Sequence, residues 1–227
     1  MSESSRALPR EKRRKNGAQS EIKAMPQWLI DVIRPVGLGV SKILWRTSYR
    51  GMENVPLTGG LIIAANHQTY IDPFWVGLPI KRALRFLAWD EAFDWPVVGK
   101  LMQLFGAWPI QVEGSDPTAI RRSLQWLKDG GAVVIFPEGA RCEPSGELER
   151  FKNGAVRLAL ETNVPILPVT SRGGHRVWPT GWRLPRFASV EVIYHPLHYI
   201  TPLPGEESRA CARRETKHLA EIIASEM

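Results

Sequence analysis

His67 and Asp72 stand five positions apart in LIIAANHQTYIDP, residues 61–73, directly after a run of five apolar residues. An imidazole takes a proton from a hydroxyl near neutral pH when something fixes its tautomer and stabilises the imidazolium, and a carboxylate folded back across the turn can supply both. The chain has no GxSxG elbow, so no nucleophile of its own accompanies the pair. A plainer reading stands beside the catalytic one. Asp72 followed by Pro73 has the form of a helix N-cap and first helical position in DPFWVGLPI, and the histidine is then only a loop residue.

FPEGARC, residues 136–142, repeats the arrangement of an apolar run followed by polar groups. Arg141 can bind a phosphate through two parallel N–H donors, and Gly139 lets the backbone approach a ligand closely. Here too there is a second reading, in which Glu138 and Arg141 form an ion pair that merely holds the loop.

Both groups need an edge to stand on. LIIAA (61–65), LRFLAW (84–89), AWPI (107–110), AVVIF (132–136), VPILPV (164–169) and SVEVIY (189–194) are strand candidates. EAFDWPVVGKLMQLFG, DPTAIRRSLQWLKDGG and FKNGAVRLALETN lie between them with helical spacing. The second has Asp116 as N-cap, Pro117 at the first position, Ile120, Leu124 and Leu127 on one face, and Gly130 past its end. Strands alternating with helices, one of them apolar on both faces, predict an α/β single domain with a mixed, largely parallel sheet flanked by helices. Ligands gather in such folds where strands end and loops begin, which is where both polar groups fall. The charged segment after Thr201 reads as a packing helix with Leu219, Ile222 and Ile223 as its stripe.

Together the two groups resemble the glycerolipid acyltransferase family, whose central members are the 1-acylglycerol-3-phosphate O-acyltransferases. Its NHxxxxD block is matched by Asn66, His67 and Asp72, and its FPEGxR block by Phe136, Pro137, Glu138, Gly139 and Arg141. VPIxPV is matched at Val164, Pro165, Ile166, Pro168 and Val169, and FKxG at Phe151, Lys152 and Gly154. Order and spacing hold over roughly residues 50–200. The resemblance implies transfer of a fatty acyl group from an acyl-CoA or acyl-carrier-protein thioester to the hydroxyl of a lysophospholipid, without an acyl-enzyme; the acceptor expected first is 1-acylglycerol-3-phosphate, giving phosphatidic acid, and a different lysolipid is the alternative. His67 is implied as general base, Asp72 as its partner, and Asn66, Glu138, Gly139, Arg141 and Lys152 as the substrate-binding set, with Arg141 on the acceptor's phosphate. No cofactor and no metal are implied. One block departs from the family. Where its second motif ends on an acid and an arginine, in patterns like GxxPVDR, this chain reads GAWPIQV, with Gln111 and Val112 in their place. Arg172, His175, Arg176 and Arg183 in SRGGHRVWPTGWR are other candidates for a phosphate or headgroup, beside a reading of Trp178 and Trp182 as two buried tryptophans.

The chain has 227 residues, 44% of them hydrophobic and 23% charged, which is globular composition. Its two cysteines, Cys142 and Cys211, are too few for a disulfide framework and fit a reducing compartment. The net charge is +7. Residues 1–24 hold seven Lys and Arg against three Glu, a surplus of four, and read as a solvated basic arm with no signal-like apolar core. Such an arm attracts an anionic surface, and the absence of a nucleic-acid motif favours lipid headgroups over nucleic acid. Residues 25–45 are the nearest thing to a membrane span, but Asp31, Arg34 and Pro35 interrupt them. Two short helices on either side of Arg34-Pro35, lying in the headgroup region on the cytoplasmic side or packed on the domain itself, are expected instead. The expected order is therefore an arm (1–24), an interfacial helical segment (25–48) and an acyltransferase domain (49–227). Two further readings remain: a thiol enzyme using Cys142 with His67, and a noncatalytic lipid-binding module built on the arm and the 25–45 segment.

Overall fold

Runs of apolar residues long enough to be buried on both faces build the centre of a parallel sheet. In the computed structural model, which describes residues 24–227 apart from 96, 112–115, 144, 180 and 183, seven strands form one sheet. They are β1 (Ser48–Arg50), β2 (Leu61–Ala65), β3 (Leu84–Trp89), β4 (Ala107–Ile110), β5 (Ala132–Ile135), β6 (Ile166–Arg172) and β7 (Glu191–Tyr194), in the spatial order β1-β7-β6-β2-β5-β3-β4. All neighbours pair parallel except β6 with β7, so the mixed, largely parallel sheet is as expected. The basic arm through residue 23, Val112 and Arg183 lie outside the described residues.

β2 sits at the middle and shows why the fold closes around it. Leu61, Ile63 and Ala65 belong to one apolar cluster, with Trp75, Val76 and Tyr194; Ile62 and Ala64 belong to the other, with Leu158, Leu219 and Ile223. The two-residue period thus feeds a core on each face of the sheet. Among the described residues the α-helices are α1 (Gln27–Trp45), α2 (Asp72–Gly77), α3 (Val98–Leu104), α4 (Pro117–Lys128), α5 (Gly154–Thr162), α6 (Gly174–Val177) and α7 (Ser208–Ala224). α4 starts as its residues predict, with the Asp116 carboxylate accepting from Thr118 and Ala119 N–H. Its buried face is Ala119, Ser123 and Leu127, however, and Ile120 is more than one-third exposed beside the cleft described below.

Three expectations need correction. The 25–45 segment is one helix and not two. Pro35 costs it a main-chain donor, but Arg34 clamps the same turn to the domain through Leu78 O at 2.8 Å and Ile80 O at 2.9 Å, and bonds Asp31 of its own helix at 2.5 Å. The segment 91–106 is a 3-10 turn over Asp90–Asp94 followed by the short α3, not one helix. Trp182 is 54% exposed rather than buried. β1, too short to show a pattern of its own, is defined by its pairing with β7.

Candidate active site

β2, β5 and β6 run parallel, so their carboxyl ends share one edge of the sheet. That edge brings together Asn66-His67, Phe136 to Arg141 and Ser171. Asn66 is fixed first: its amide nitrogen donates to Ser171 O at 2.8 Å and its oxygen accepts from Ser171 N at 2.7 Å. The side chain is buried and does not line the cleft. In this structure it ties the β2 and β6 ends together.

Asp72 is wholly buried, which demands that its oxygens be satisfied. Oδ2 accepts from Gln68 N at 2.6 Å, Thr69 N at 2.7 Å and His67 Nδ1 at 2.9 Å, and Oδ1 accepts from Ser171 Oγ at 3.2 Å. None of these bonds caps its own helix, whose N-cap is Ile71 with no side-chain bond. The helix-cap expectation for Asp72 is therefore wrong: Asp72 is the first residue of α2, and its carboxylate turns back on the loop before it. His67 keeps Nδ1 on Asp72, stacks on Phe136 with ring centres 4.3 Å apart, and leaves Nε2 for the cleft it lines. Gly174 permits the close packing, since a Cβ there would meet Thr69 Cγ2 at 2.9 Å and Asp72 Oδ1 at 3.1 Å. Ser171, Gly174 and Phe136 are parts of the site for which no role was read in the sequence. Phe136 carries the signal of the FPEGxR block it opens, and Ser171 and Gly174 only that of position, near the end of β6 at the edge that carries His67.

Glu138 does not pair with Arg141. Its oxygens accept from His67 N at 2.5 Å and Glu149 N at 2.8 Å. Burial pushes its carboxyl up to about 7, against the pull of those two backbone donors. An exposed glutamate loses its proton near about pH 4.3, so the folded chain holds the extra proton between there and about pH 7, and stability is greatest at the acid end and falls as pH rises through that window. We expect the difference in unfolding free energy between wild type and Glu138→Gln to fall from about pH 5 to about pH 7 and then level off. The carboxamide loses one of the two acceptors at every pH, which gives an offset without a slope. A difference that is constant across the window, measured by urea titration, would show that Glu138 stays charged in the fold.

Gly139 has φ of 72°, and a Cβ there would lie 2.7 Å from Lys152 Nζ, so the Lys152 side chain passes directly over the loop. Arg141 lies with its guanidinium carbon 3.7 Å from the Tyr70 ring centre and donates to the Tyr70 hydroxyl at 2.9 Å. Gln111, at the second-motif position, is exposed, and its N–H donates to Asp116. Cys142 is 3% exposed, its N–H donates to His67 O, and burial pushes its thiol up to about 11. A buried thiol that holds its proton is a poor nucleophile, which weighs against the thiol reading.

His67, Glu138, Gly139, Arg141 and Lys152 all border one cleft of 2080 Å³. Much of its lining is apolar, with Ile30 and Ile33 of α1, Phe74 of α2, Phe86 of β3 and Leu101 of α3 among the residues. The arrangement can deprotonate a hydroxyl at the wall of a space that accepts an aliphatic chain.

A family model described as Acyltransferase matches residues 46–172. The 1-acyl-sn-glycerol-3-phosphate acyltransferase of Bacillus subtilis is 30% identical over 162 residues, which cover 70% of this chain and 78% of that relative. The chloroplastic 1-acyl-sn-glycerol-3-phosphate acyltransferase BAT2 of Brassica napus is 31% identical over 157 residues, or 66% of this chain, and the match spans only 44% of the plant protein's length. The crystal structure of the 1-acyl-sn-glycerophosphate acyltransferase PlsC from Thermotoga maritima shares the fold, with a TM-score of 0.69 at 24% identity over 88% of this chain and 78% of that one.

Proposed function

The chain belongs to the acyltransferase family, and from that premise we propose that it moves a fatty acyl group from an acyl-CoA or acyl-carrier-protein thioester to the free hydroxyl of 1-acylglycerol-3-phosphate, giving phosphatidic acid. One observation carries this reading: His67, held by the buried Asp72, lines a largely apolar cleft that Arg141 and Lys152 also border. The acceptor hydroxyl gives its proton to His67 Nε2 as its oxygen attacks the thioester carbonyl carbon. The tetrahedral intermediate collapses, the C–S bond breaks, and the imidazolium returns the proton to the departing thiolate. Asp72 carries a negative charge beside the ring while the imidazolium exists. Arg141 and Lys152 meet the acceptor's phosphate, and the apolar walls receive a chain. The names of the relatives favour lysophosphatidate as acceptor. A panel of lysolipids assayed with both donor types tests the reading. Transfer to lysophosphatidate supports it, and transfer confined to another lysolipid replaces the acceptor while leaving the chemistry.

The acceptor lives in a membrane, and α1 offers the surface to reach it. Trp28, Val32, Val36, Val40 and Ile43 are 66%, 65%, 68%, 46% and 79% exposed along one side of the helix, opposite the buried Arg34 and Ser41. An apolar stripe on a helix docked by its other face fits a peripheral or monotopic seat in the headgroup region, on the cytoplasmic side where thioester donors are available. Among the described residues no helix is long and apolar enough to cross a membrane. The triple variant Val32→Ser, Val36→Ser, Ile43→Ser is expected to weaken binding to phospholipid vesicles by at least about tenfold at low and high salt alike. Unchanged vesicle flotation would show that this face does not meet lipid.

A further inference from the structure

Building on the reading of Arg141 as the ligand of the acceptor's phosphate, we propose that Tyr70 determines acceptor specificity by holding the Arg141 guanidinium over its ring, so that the site selects a phosphomonoester over a zwitterionic headgroup. An arginine on a cleft wall usually rests against a carboxylate, and this one does not. Glu138, three positions before it, is committed to His67 N and Glu149 N, and among the described residues no carboxylate pairs with Arg141. Tyr70 takes that place with a neutral surface: the guanidinium carbon lies 3.7 Å from the ring centre and one terminal nitrogen donates to the hydroxyl at 2.9 Å. The charge is therefore held without being cancelled, and the remaining donors keep the planar fork that matches a phosphate.

Tyr70 is itself braced. Trp95 and Trp178 meet it edge-on at 6.0 and 5.5 Å, at 66° and 68°. Both tryptophans, Tyr70, Arg141 and His67 line the same cleft. Tyr70 stands three positions after His67, and Arg141 precedes Cys142, whose N–H donates to His67 O at 2.8 Å. The clamp and the general base thus share two short tethers, which sets the distance between a bound phosphate and the hydroxyl to be deprotonated. An incoming choline or ethanolamine group meets an uncancelled positive charge, and the Tyr70 face that would attract it is already covered by the guanidinium. With Val112 in the sequence where the second motif has its arginine, discrimination falls more heavily on Arg141, and so on the ring that aims it.

The test is steady-state kinetics of wild type, Tyr70→Leu and Tyr70→Phe, with glycerol 3-phosphate as a competitive anion probe and lysophosphatidylcholine as a zwitterionic competitor. Tyr70→Leu should raise both the KM for lysophosphatidate and the inhibition constant of glycerol 3-phosphate about tenfold, with kcat and lysophosphatidylcholine inhibition within about twofold of wild type. Tyr70→Phe keeps the ring face and should recover most of the loss. Tyr70 is 47% exposed, so both variants should fold, and their thermal melts check it. The proposal is overturned if Tyr70→Leu leaves both constants within twofold of wild type, or lowers kcat with KM unchanged. Wild type that turns over only another lysolipid would sink the acceptor reading alone, because the glycerol 3-phosphate constant measured with that lysolipid still judges the clamp.

Discussion

His67→Ala is expected to lower the turnover number by about two to four orders of magnitude, the range that removal of a general base from its proton costs. The fold should survive it. The His67 side chain is 19% exposed, and what the substitution removes from the interior is one face of the Phe136 stack and one of four donors to Asp72. The cost to stability is about 1 kcal/mol, far less than a folded domain holds. Binding of the acceptor should change little, because His67 acts on the hydroxyl and the phosphate is met by Arg141 and Lys152. The signature is thus a fall in kcat with KM for the acceptor nearly constant. The same variant separates two of the three readings of the sequence. A noncatalytic lipid-binding module predicts that vesicle binding is kept and that there was no transfer to lose, so a His67→Ala protein as active as wild type would sink the acyl-transfer mechanism outright.

How much of this could be read from residue order depended on whether the deciding contact was local. β2 was plain because five consecutive apolar residues buried on both faces have few other places to go. The start of α4 was plain because its cap, Asp116, is adjacent to the donors it satisfies. Asp72 has the same sequence form, an aspartate before a proline, and behaves differently. Its carboxylate has a better offer from Gln68 N, Thr69 N and His67, and from Ser171, 99 positions away. Short-range pattern cannot show that β6 will deliver a hydroxyl there. α1 continues through Pro35 for a similar reason. The bonds that hold that turn run from Arg34 to Leu78 and Ile80, 44 and 46 positions on. Arg141 was picked out by type as a phosphate ligand, but the ring it lies on is 71 positions earlier in the chain. His67, by contrast, could be named from its motif because the group that orients it is five residues away.

Asp72→Asn tests whether that orienting group must be charged. Alanine would not be informative here. It would leave the buried N–H groups of Gln68 and Thr69 without acceptors, at about 1–3 kcal/mol each, and would threaten the loop itself. Asparagine can keep the geometry. With its carboxamide oxygen where Oδ2 stands, it still accepts from Gln68 N, Thr69 N and His67 Nδ1, and its NH2 faces the Ser171 hydroxyl, which can turn to accept. The reverse orientation would set the NH2 group against two backbone N–H donors and is disfavoured. His67 therefore keeps its position and its tautomer, and what disappears is the negative charge beside an imidazolium. At an effective dielectric of about 20, an ion pair at roughly 4 Å is worth about 4 kcal/mol, and part of that is returned because the charge no longer has to be buried. We expect kcat to fall by about two to three orders of magnitude, while the melting temperature moves by only a few degrees and glycerol 3-phosphate still competes as it does for wild type. Full activity in this variant would mean that Asp72 serves the loop and not the proton, and that His67 works without a counter-charge. A fall in activity matched by a collapse of the melt would instead locate the fault in the asparagine's fit, and His67→Ala would then be left to carry the mechanism by itself.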